Sequence, residues 1–334
     1  MKPWRCQDLT LSEQLHQGIR MIDIRIVLVD GELRAYHGVT PEKATFTAIL
    51  DEVCSYLESE EGKSETVIMS ILEEASFMPS SPFFSALVHD AITNPPSRKG
   101  MWFLENRVPT LGEVRSKIIL FSRFGGDGDG WEGGRIGIHP TIWPDNRREG
   151  FAWELEKTRV RTQDWYGIPS FLSIPEKFEV AVEMLYPRPA PNGKSDLSIT
   201  FLSASRVPFA LPSTVACGFG WSSLYLGIEG VNSRVGKWLL GQLGGVDGND
   251  VAPGEPKQAW TYSDEERGWS QSTLVDLKSA SGSSIRIKDS DRKEPRLRGW
   301  VLMDFLLDPH ELGIVPLLIE CNWRGRVHGE EGWV

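Results

Sequence analysis

The sequence predicts an α/β protein built as a TIM-type (β/α) barrel, in a single domain spanning residues 1–334. Three observations predict it. Short apolar runs rich in β-branched residues alternate with amphipathic segments of helical period, as in a parallel sheet. Polar or charged residues follow these runs at their C-terminal ends, where barrels of this class place their reactive groups. The length of 334 residues is sufficient for one large domain with a sizeable core.

The chain opens with a helix and a hairpin, the stretch around which the predicted domain is organised. Apolar residues recur at helical spacing over residues 9–18, which predicts a short helix. Residues 20–29 are β-branched and apolar, which predicts a buried strand. The Asp-Gly dipeptide at 30–31 permits a tight turn into a second strand, residues 32–36, which ends on His37-Gly38.

Strands and helices then alternate along the rest of the chain. Apolar runs predict strands at residues 66–72, 116–121, 159–163, 197–202 and 299–306. One-sided apolar patterns predict helices at residues 44–58, 84–92, 175–185, 230–243 and 311–321. Residues 125–134 predict a flexible rim loop, because the ligand spacing of an EF-hand is missing. Residues 244–297 are rich in Gly, Ser, Asp and Lys without periodicity, and predict a loop-rich insertion within the domain.

Composition and charge exclude several classes of partner. The net charge of −10 argues against binding to nucleic acid and gives no general attraction to anionic membranes. Four scattered cysteines lack the spacing of a zinc site. The residues after Met1 lack the apolar stretch of a signal peptide, so we expect a cytoplasmic protein as written, or a secreted one if a segment precedes Met1.

Two charged residues interrupt the first predicted strand. Asp23 and Arg25 are two residues apart and therefore project from the same face, and the hairpin returns His37 towards that strand. Burying such a set is unfavourable unless each group is paired, which favours a site for an anionic group. Taken alone, the three residues fit equally well an Asp-Arg pair at a strand end with a surface His.

The other predicted strands end on residues of the same kind. These residues are Glu74, Arg123, Asp164, Tyr166 and Asp304. Any one of them fits a salt bridge at the rim. Because the C-terminal ends of the strands meet at one end of a barrel, the whole set favours a functional site there.

Seven short motifs, in this order, carry a resemblance to a known family. They are Glu13–Arg20 leading into Asp23-Ile-Arg25, His37-Gly38, Met69-Ser70-Ile71 with Glu74, Lys117–Phe124, Trp143-Pro-Asp-Asn146, Gln163-Asp164-Trp-Tyr166, and Gly299–Phe305. The ordered set resembles the phosphatidylinositol-specific phospholipase C X-domain family, on its bacterial-type, metal-independent side. The resemblance runs from about residue 7 to the C-terminus and implies a distorted, incomplete barrel.

The resemblance implies a phosphoric diester hydrolase, or phosphorus-oxygen lyase, that cleaves phosphatidylinositol to diacylglycerol and a cyclic inositol phosphate. In that family one His takes the proton of the inositol 2-hydroxyl and a second His protonates the departing oxygen. By resemblance, His37 is the second His, and Arg25 stabilises the phosphate charge that calcium stabilises in eukaryotic members. Asp304 matches the carboxylate that orients the first His. We therefore expect no metal ion and no other cofactor.

The resemblance also implies a set of substrate contacts. Arg123 and Asp164 would hydrogen-bond inositol hydroxyls, and Tyr166 would stack on the ring. Glu74 and Asp23 would support the cationic groups. The implied partners are phosphatidylinositol or another inositol phosphodiester and, transiently, a membrane surface, with no nucleic acid.

Two departures from the family pattern predict impaired catalysis. The family's first His lies in a Pro-Gly-Thr-His motif ahead of the first helix, and neither that motif nor the barrel's first strand has a counterpart here. Leu72 stands at or near a position where bacterial members carry a Lys. Without a general base, the rate falls by roughly 10²- to 10⁴-fold.

Two other functions remain open at this stage. One is a catalytically dead protein that binds inositol headgroups. The other is a metal-dependent glycerophosphodiester phosphodiesterase on a similar barrel. Arg25 argues against the second, because it places a guanidinium where a divalent ion needs a carboxylate.

Overall fold

A computed structural model describes residues 6–38, 40–74, 82–95, 98, 100–124, 136–186, 195–221, 226–244 and 296–325. The predicted rim loop at 125–134 lies outside the described residues. The predicted insertion at 244–297 also lies outside them, except for residues 244, 296 and 297.

The strands and helices follow the predicted alternation. The strands are β1 (Met21–Val29), β2 (Glu32–His37), β3 (Thr40–Thr45), β4 (Thr66–Glu73), β5 (Trp102–Phe103), β6 (Lys117–Ser122), β7 (Phe151–Leu155), β8 (Thr158–Gln163), β9 (Ser195–Phe201), β10 (Gly218–Trp221), β11 (Leu226–Glu229) and β12 (Trp300–Leu302). The helices are α1 (Leu11–His16), α2 (Phe46–Glu58), α3 (Pro82–Thr93), α4 (Leu111–Val114), α5 (Ile174–Glu183), α6 (Pro212–Cys217), α7 (Val231–Gly244) and α8 (Ile314–Cys321).

Two sheets form the framework of a distorted barrel. The larger has six strands in the order β3-β2-β1-β4-β6-β5, and the smaller has four in the order β12-β9-β8-β7. Strands β1, β4, β6 and β5 run parallel to one another, as do β8, β9 and β12. β12 lies against β1, but within the described residues no backbone ladder joins them. The barrel is therefore incomplete at this seam.

Alternate residues of β6 divide between two layers of the core. Ile118 and Leu120 pack in the cluster that includes α2 and α3, outside the larger sheet. Ile119 and Phe121 face the other way, into a cluster that also contains Trp153 of β7 and residues of β9. This two-residue alternation is what a strand between a helical layer and a barrel interior requires. A third cluster lies between the smaller sheet and α5, α7 and α8.

The β1–β2 hairpin has the predicted geometry. β1 pairs antiparallel with β2 from Ile26 opposite Ala35 to Val29 opposite Glu32. Asp30 and Gly31 in the turn have φ of 52° and 82°, the left-handed backbone that an Asp-Gly turn accommodates. On its other side β1 pairs parallel with β4, as predicted for a buried strand.

Some elements were not predicted. β3 is an exposed edge strand that carries Pro41, which is tolerated there because an edge strand needs fewer ladder donors. β7 pairs antiparallel with β8, and the short β5, α4, α6 and β10–β11 hairpin were also missed. The last predicted strand is shorter than expected, so Asp304 lies two residues beyond β12. Within the described residues no helix is both long enough and apolar enough to cross a membrane.

Candidate active site

A cavity of about 610 Å³ runs along β1, at the seam with β12, and includes residues at the C-terminal ends of β9 and β12. Five of the predicted site residues line it: Asp23, Arg25, His37, Tyr166 and Asp304. They come from β1, from the end of β2 and from the segments that follow β8 and β12. The barrel topology thus brings together side chains that are far apart in the sequence, because parallel strands end at one rim.

Asp23 is a largely buried carboxylate with three partners. It accepts a hydrogen bond from the Ser70 hydroxyl at 2.6 Å and ion pairs with Arg25 at 3.3 Å and Arg123 at 3.5 Å. Burial alone would raise the pKa of Asp23, but the charges of Arg123 and Arg25 and the Ser70 hydroxyl together hold that pKa below its usual value. Asp23 therefore remains ionised and fixes two cations.

Arg25 is held between two carboxylates. Its guanidinium contacts Asp23 on its own strand and Glu74 at the end of β4, at 3.5 Å. Burial opposes its charge, but these two carboxylates raise the pKa of Arg25 above its usual value. The side chain remains 37% exposed and lines the cavity, so a permanently charged guanidinium is accessible to an anionic group there.

Arg123 lies beside the cavity rather than in its wall. Its guanidinium pairs with Asp23 and, at 3.5 Å, with Asp164, and it stacks over the Trp143 ring, 4.1 Å from the centroid. It lines a neighbouring pocket of about 310 Å³ that also contains Leu72. Its buried Nε has no hydrogen-bond partner among the described residues.

The segment after β8 presents two further predicted residues. Asp164 is nearly buried and accepts a hydrogen bond from Trp143 Nε1 at 2.9 Å. Tyr166 is 45% exposed and donates its hydroxyl to Asp145 at 2.6 Å. That hydrogen bond, together with partial burial, raises the pKa of Tyr166 to about 12, so the phenol remains protonated.

His37 faces a thiol and a carboxyl group inside the cavity. Its Nδ1 lies 3.7 Å from Cys6 Sγ, and the Cys6 thiol hydrogen-bonds Asp304. Burial raises the pKa of Asp304 to about 6, although Cys6, His37 and Arg25 oppose the rise. Burial also raises the pKa of the Cys6 thiol, which therefore remains protonated.

The described histidines differ in where they lie. His37 alone among them lines the cavity. His139 contacts Asn106 and the Gly137 carbonyl, and His16 contacts the Ser12 carbonyl on α1. In the part of the chain that the structure describes, no group of three or more His, Cys, Asp or Glu side chains is arranged to hold a metal ion.

Several contacts at the site were not predicted from the sequence. Ser70 and Trp143 occur in the motifs that carry the resemblance, yet their hydrogen bonds to Asp23 and Asp164 depend on strand register. Asp145 lies in the same motif as Trp143. Cys6, one of the four scattered cysteines, contacts His37. No sequence signal indicated this contact.

The comparisons with known proteins agree with this arrangement. The model of the family described as "Phosphatidylinositol-specific phospholipase C, X domain" matches residues 4–124. A 1-phosphatidylinositol phosphodiesterase of Staphylococcus aureus (strain Newman) is 25% identical over 215 residues, which are 63% of this chain and 66% of that protein. One of Listeria monocytogenes is 31% identical over 121 residues, which are 35% of each chain.

Solved structures show the same fold. The phosphatidylinositol-specific phospholipase C of Listeria monocytogenes superposes with a TM-score of 0.56 at 20% identity, covering 95% of this chain and 84% of that one. A Staphylococcus aureus phosphatidylinositol-specific phospholipase C superposes with a TM-score of 0.60 at 19% identity, covering 96% and 85%. The prediction of a distorted (β/α) barrel is thereby confirmed. Residues 4–124 thus match the X domain of phosphatidylinositol-specific phospholipase C, and the chain shares the fold of the solved bacterial phosphatidylinositol-specific phospholipases C.

Proposed function

We propose that the chain is a phosphoric diester hydrolase that cleaves phosphatidylinositol, or a related inositol phosphodiester, to diacylglycerol and a cyclic inositol phosphate. The observation that carries the proposal is the convergence of Arg25 and His37 in one cavity. A fixed cation beside a proton-donating imidazole is what a phosphodiester with a poor leaving group requires. The names of the relatives support the same reaction.

Arg25 would stabilise the charge that develops on the phosphate. Asp23 and Glu74 hold its guanidinium in place, so the cation is oriented before the substrate arrives. Preorganised charge of this kind needs no rearrangement during the reaction, which is the source of its effect on rate. In this proposal the guanidinium replaces a divalent ion, and no metal takes part.

His37 would protonate the departing diacylglycerol oxygen. The Cys6 contact occupies Nδ1, so we assign the proton transfer to Nε2. Asp304 and His37 interact electrostatically, and this interaction opposes the rise in the pKa of Asp304 that burial causes.

The inositol ring would lie against the segment after β8. Asp164 supplies a carboxylate acceptor, Arg123 supplies donors, and the half-exposed Tyr166 ring supplies a flat surface for stacking. Leu72 lines the neighbouring pocket, so that pocket offers one apolar contact where a cationic one was expected from the family. We propose that the ring is held mainly by its contacts with the first three residues.

The proton of the attacking hydroxyl needs a base. In the part of the chain that the structure describes, His37 is the one cavity histidine, so a second histidine does not supply this base there. We therefore propose that water takes this proton and that turnover of residues 1–334 is slow, below that of a protein with both histidines by roughly 10²- to 10⁴-fold. The same observation favours the second candidate function, a headgroup-binding protein without activity.

The membrane surface would meet the rim beside Tyr166. Leu172, Val207, Phe209 and Phe219 are 49–70% exposed, and they follow β8 and β9 at the cavity end of the barrel. We call these four residues the rim patch. Phe171 links its members, since its ring packs on Phe219 at 5.2 Å and its backbone N–H donates to Phe209. An apolar rim next to a headgroup site fits a lipid that stays partly in its bilayer.

Phosphorus NMR of phosphatidylinositol in mixed micelles tests the proposal. Residues 1–334 should produce a cyclic inositol phosphate, and His37→Ala should abolish it. His16→Ala is the matched control, because it removes an exposed histidine outside the cavity. Binding of myo-inositol without any cyclic product would favour the headgroup-binding function instead.

A further inference from the structure

Lys177 of α5 is a lysine with no solvent exposure. Its Nζ donates to the backbone carbonyl of Trp165 at 2.8 Å. It also donates to the Gln163 amide oxygen at 3.0 Å, in the orientation that lets the amide nitrogen of Gln163 donate to the Phe201 carbonyl. Among the described residues no carboxylate pairs with Nζ directly. Burying an ammonium in this way is unfavourable, so its retention needs an explanation.

The location of Lys177 offers an explanation. Trp165 is the residue between Asp164 and Tyr166, the two residues proposed to contact the inositol ring. Its carbonyl belongs to the peptide unit that leads into Tyr166, so a bond to this carbonyl fixes the backbone from which the Tyr166 side chain projects. On the other side, the Tyr166 carbonyl accepts a hydrogen bond from the Ser205 backbone N–H at 2.7 Å. Lys177 and Ser205 thus hold two consecutive carbonyl groups of the segment, those of Trp165 and Tyr166.

A purely structural role explains less. Helix α5 is already tied to the smaller sheet by the Thr200 hydroxyl, which donates to the Ala181 carbonyl at 3.0 Å. An apolar side chain at position 177 would fill the same space without burying a charge. What an apolar side chain cannot do is donate to the Trp165 carbonyl or place positive charge beneath Asp164.

We infer that Lys177 is a positioning residue for the inositol site: it holds the Asp164–Tyr166 segment by the Trp165 carbonyl. The inference rests on the proposed function, since it takes Asp164 and Tyr166 as ring contacts. It adds a residue that reaches the substrate only through its neighbours and sets affinity for the ring.

Electrostatics support this role. Burial lowers the pKa of Lys177 to about 7, while the negative charges of Asp164 and Asp304 oppose the fall. These carboxylates, at the ends of β8 and β12, are the charged groups that act on Nζ, and its direct partners are neutral acceptors. The charge of Lys177 therefore changes near neutral pH. If Lys177 positions the segment, the affinity for inositol should depend on pH in this range, which a purely packing role would not cause.

Lys177→Met tests the inference in the full chain, with calorimetric binding of myo-inositol as the first measurement. At pH 6, where Lys177 is charged, we expect the affinity for inositol to fall about tenfold, as for loss of a charged hydrogen bond. In lipid cleavage, KM should rise while kcat changes less than threefold. Thr200→Val is the matched control. It removes the bond between α5 and the sheet and the longer contact of the same hydroxyl with the Gln163 amide, at 3.4 Å, but leaves the bond to the Trp165 carbonyl in place. Its inositol affinity should equal wild type.

Two further outcomes decide the matter. Lys177→Gln keeps a donor for the Trp165 carbonyl, so its affinity for inositol should lie between those of Lys177→Met and wild type. If Lys177→Met fails to fold, Lys177→Gln should still bind inositol more weakly than wild type. An inositol affinity within twofold of wild type in Lys177→Met would overturn the inference, as would a loss in Lys177→Gln as large as that in Lys177→Met, or an equal loss in Thr200→Val. If the wild type binds inositol but cleaves no lipid, the proposed activity fails, and the binding comparison still decides the role of Lys177.

Discussion

Glu74 accepts a hydrogen bond from the backbone N–H of Gly38, at 2.8 Å, and this bond ties the end of β4 to the end of β2. The other oxygen of the same carboxylate pairs with Arg25 at 3.5 Å. One side chain thus fixes both the guanidinium of the candidate active site and the backbone next to His37. The position of the cation and that of the acid are coupled through Glu74.

This coupling predicts that Glu74→Ala lowers kcat more than Glu74→Gln. Alanine removes both contacts. Glutamine keeps an oxygen that can accept from Gly38 and loses only the negative charge that pairs with Arg25. We expect a loss of about tenfold or more for alanine and a smaller one for glutamine. Initial rates of phosphatidylinositol cleavage measure both. Equal rates for the two variants would show that the bond to Gly38 does not contribute.

The main framework of the fold was predictable because it follows from local patterns. The apolar runs of β1, β4, β6, β8 and β9 and the one-sided helices between them carry their own periodicity. β3 carries none, because an exposed edge strand that contains Pro41 buries little and resembles a loop. Elements stabilised by their neighbours rather than by their own pattern were therefore missed.

The candidate site was predictable to the extent that each residue ends a strand. Arg25, Arg123 and Asp164 stand out because charge interrupts or follows an apolar run. The partners that orient them do not stand out. Ser70 reaches Asp23 only because β1 and β4 pair with these residues opposite each other, and Cys6 reaches His37 across 31 residues of chain. Register and long-range contact depend on the whole fold, which a single sequence leaves open.

The rim patch predicts that its exposed apolar side chains contribute to the affinity of the protein for lipid vesicles. Phe209→Ser removes a 60% exposed aromatic ring at the cavity end of the barrel and should weaken binding to phosphatidylcholine vesicles about tenfold. Cleavage of a short-chain monomeric substrate should change little, because the headgroup contacts remain. Leu111→Ser is the control: Leu111 is 52% exposed on α4, which precedes β6 and lies at the other end of the barrel. Equal losses for both variants would contradict the patch.

The proposed role of Arg25 predicts indifference to chelators. Because a guanidinium supplies the positive charge, activity in excess EDTA should equal activity without it. Arg25→Ala should lose on the order of 10²- to 10³-fold in kcat, as when an oriented donor to a developing charge is removed. Recovery of the Arg25→Ala variant by added calcium would show that a metal can take the same place. Inhibition of the wild type by EDTA would contradict the proposed mechanism.

Asp304 predicts a distinctive dependence of stability on pH. Its pKa is about 6 in the folded chain and 3.8 in an unfolded one, because burial disfavours the carboxylate. Between these two values the folded state holds a proton that the unfolded state has released, so the free energy of unfolding falls as pH rises from about 4 to 6. Above pH 6 the free energy of unfolding stays lower, by roughly 3 kcal/mol from this group alone, than it is below pH 4.

Asp304→Asn should remove this contribution, because the amide does not titrate and its oxygen can still accept from Cys6. Urea unfolding between pH 4 and 7 measures the slope for both proteins, and the variant should lose less stability across that range. Asp30→Asn removes an exposed carboxylate at the β1–β2 turn and should keep the wild-type slope. If Asp304→Asn and wild type gave the same slope, the carboxyl group would not be protonated in the folded chain at pH 5, and burial would not control its charge.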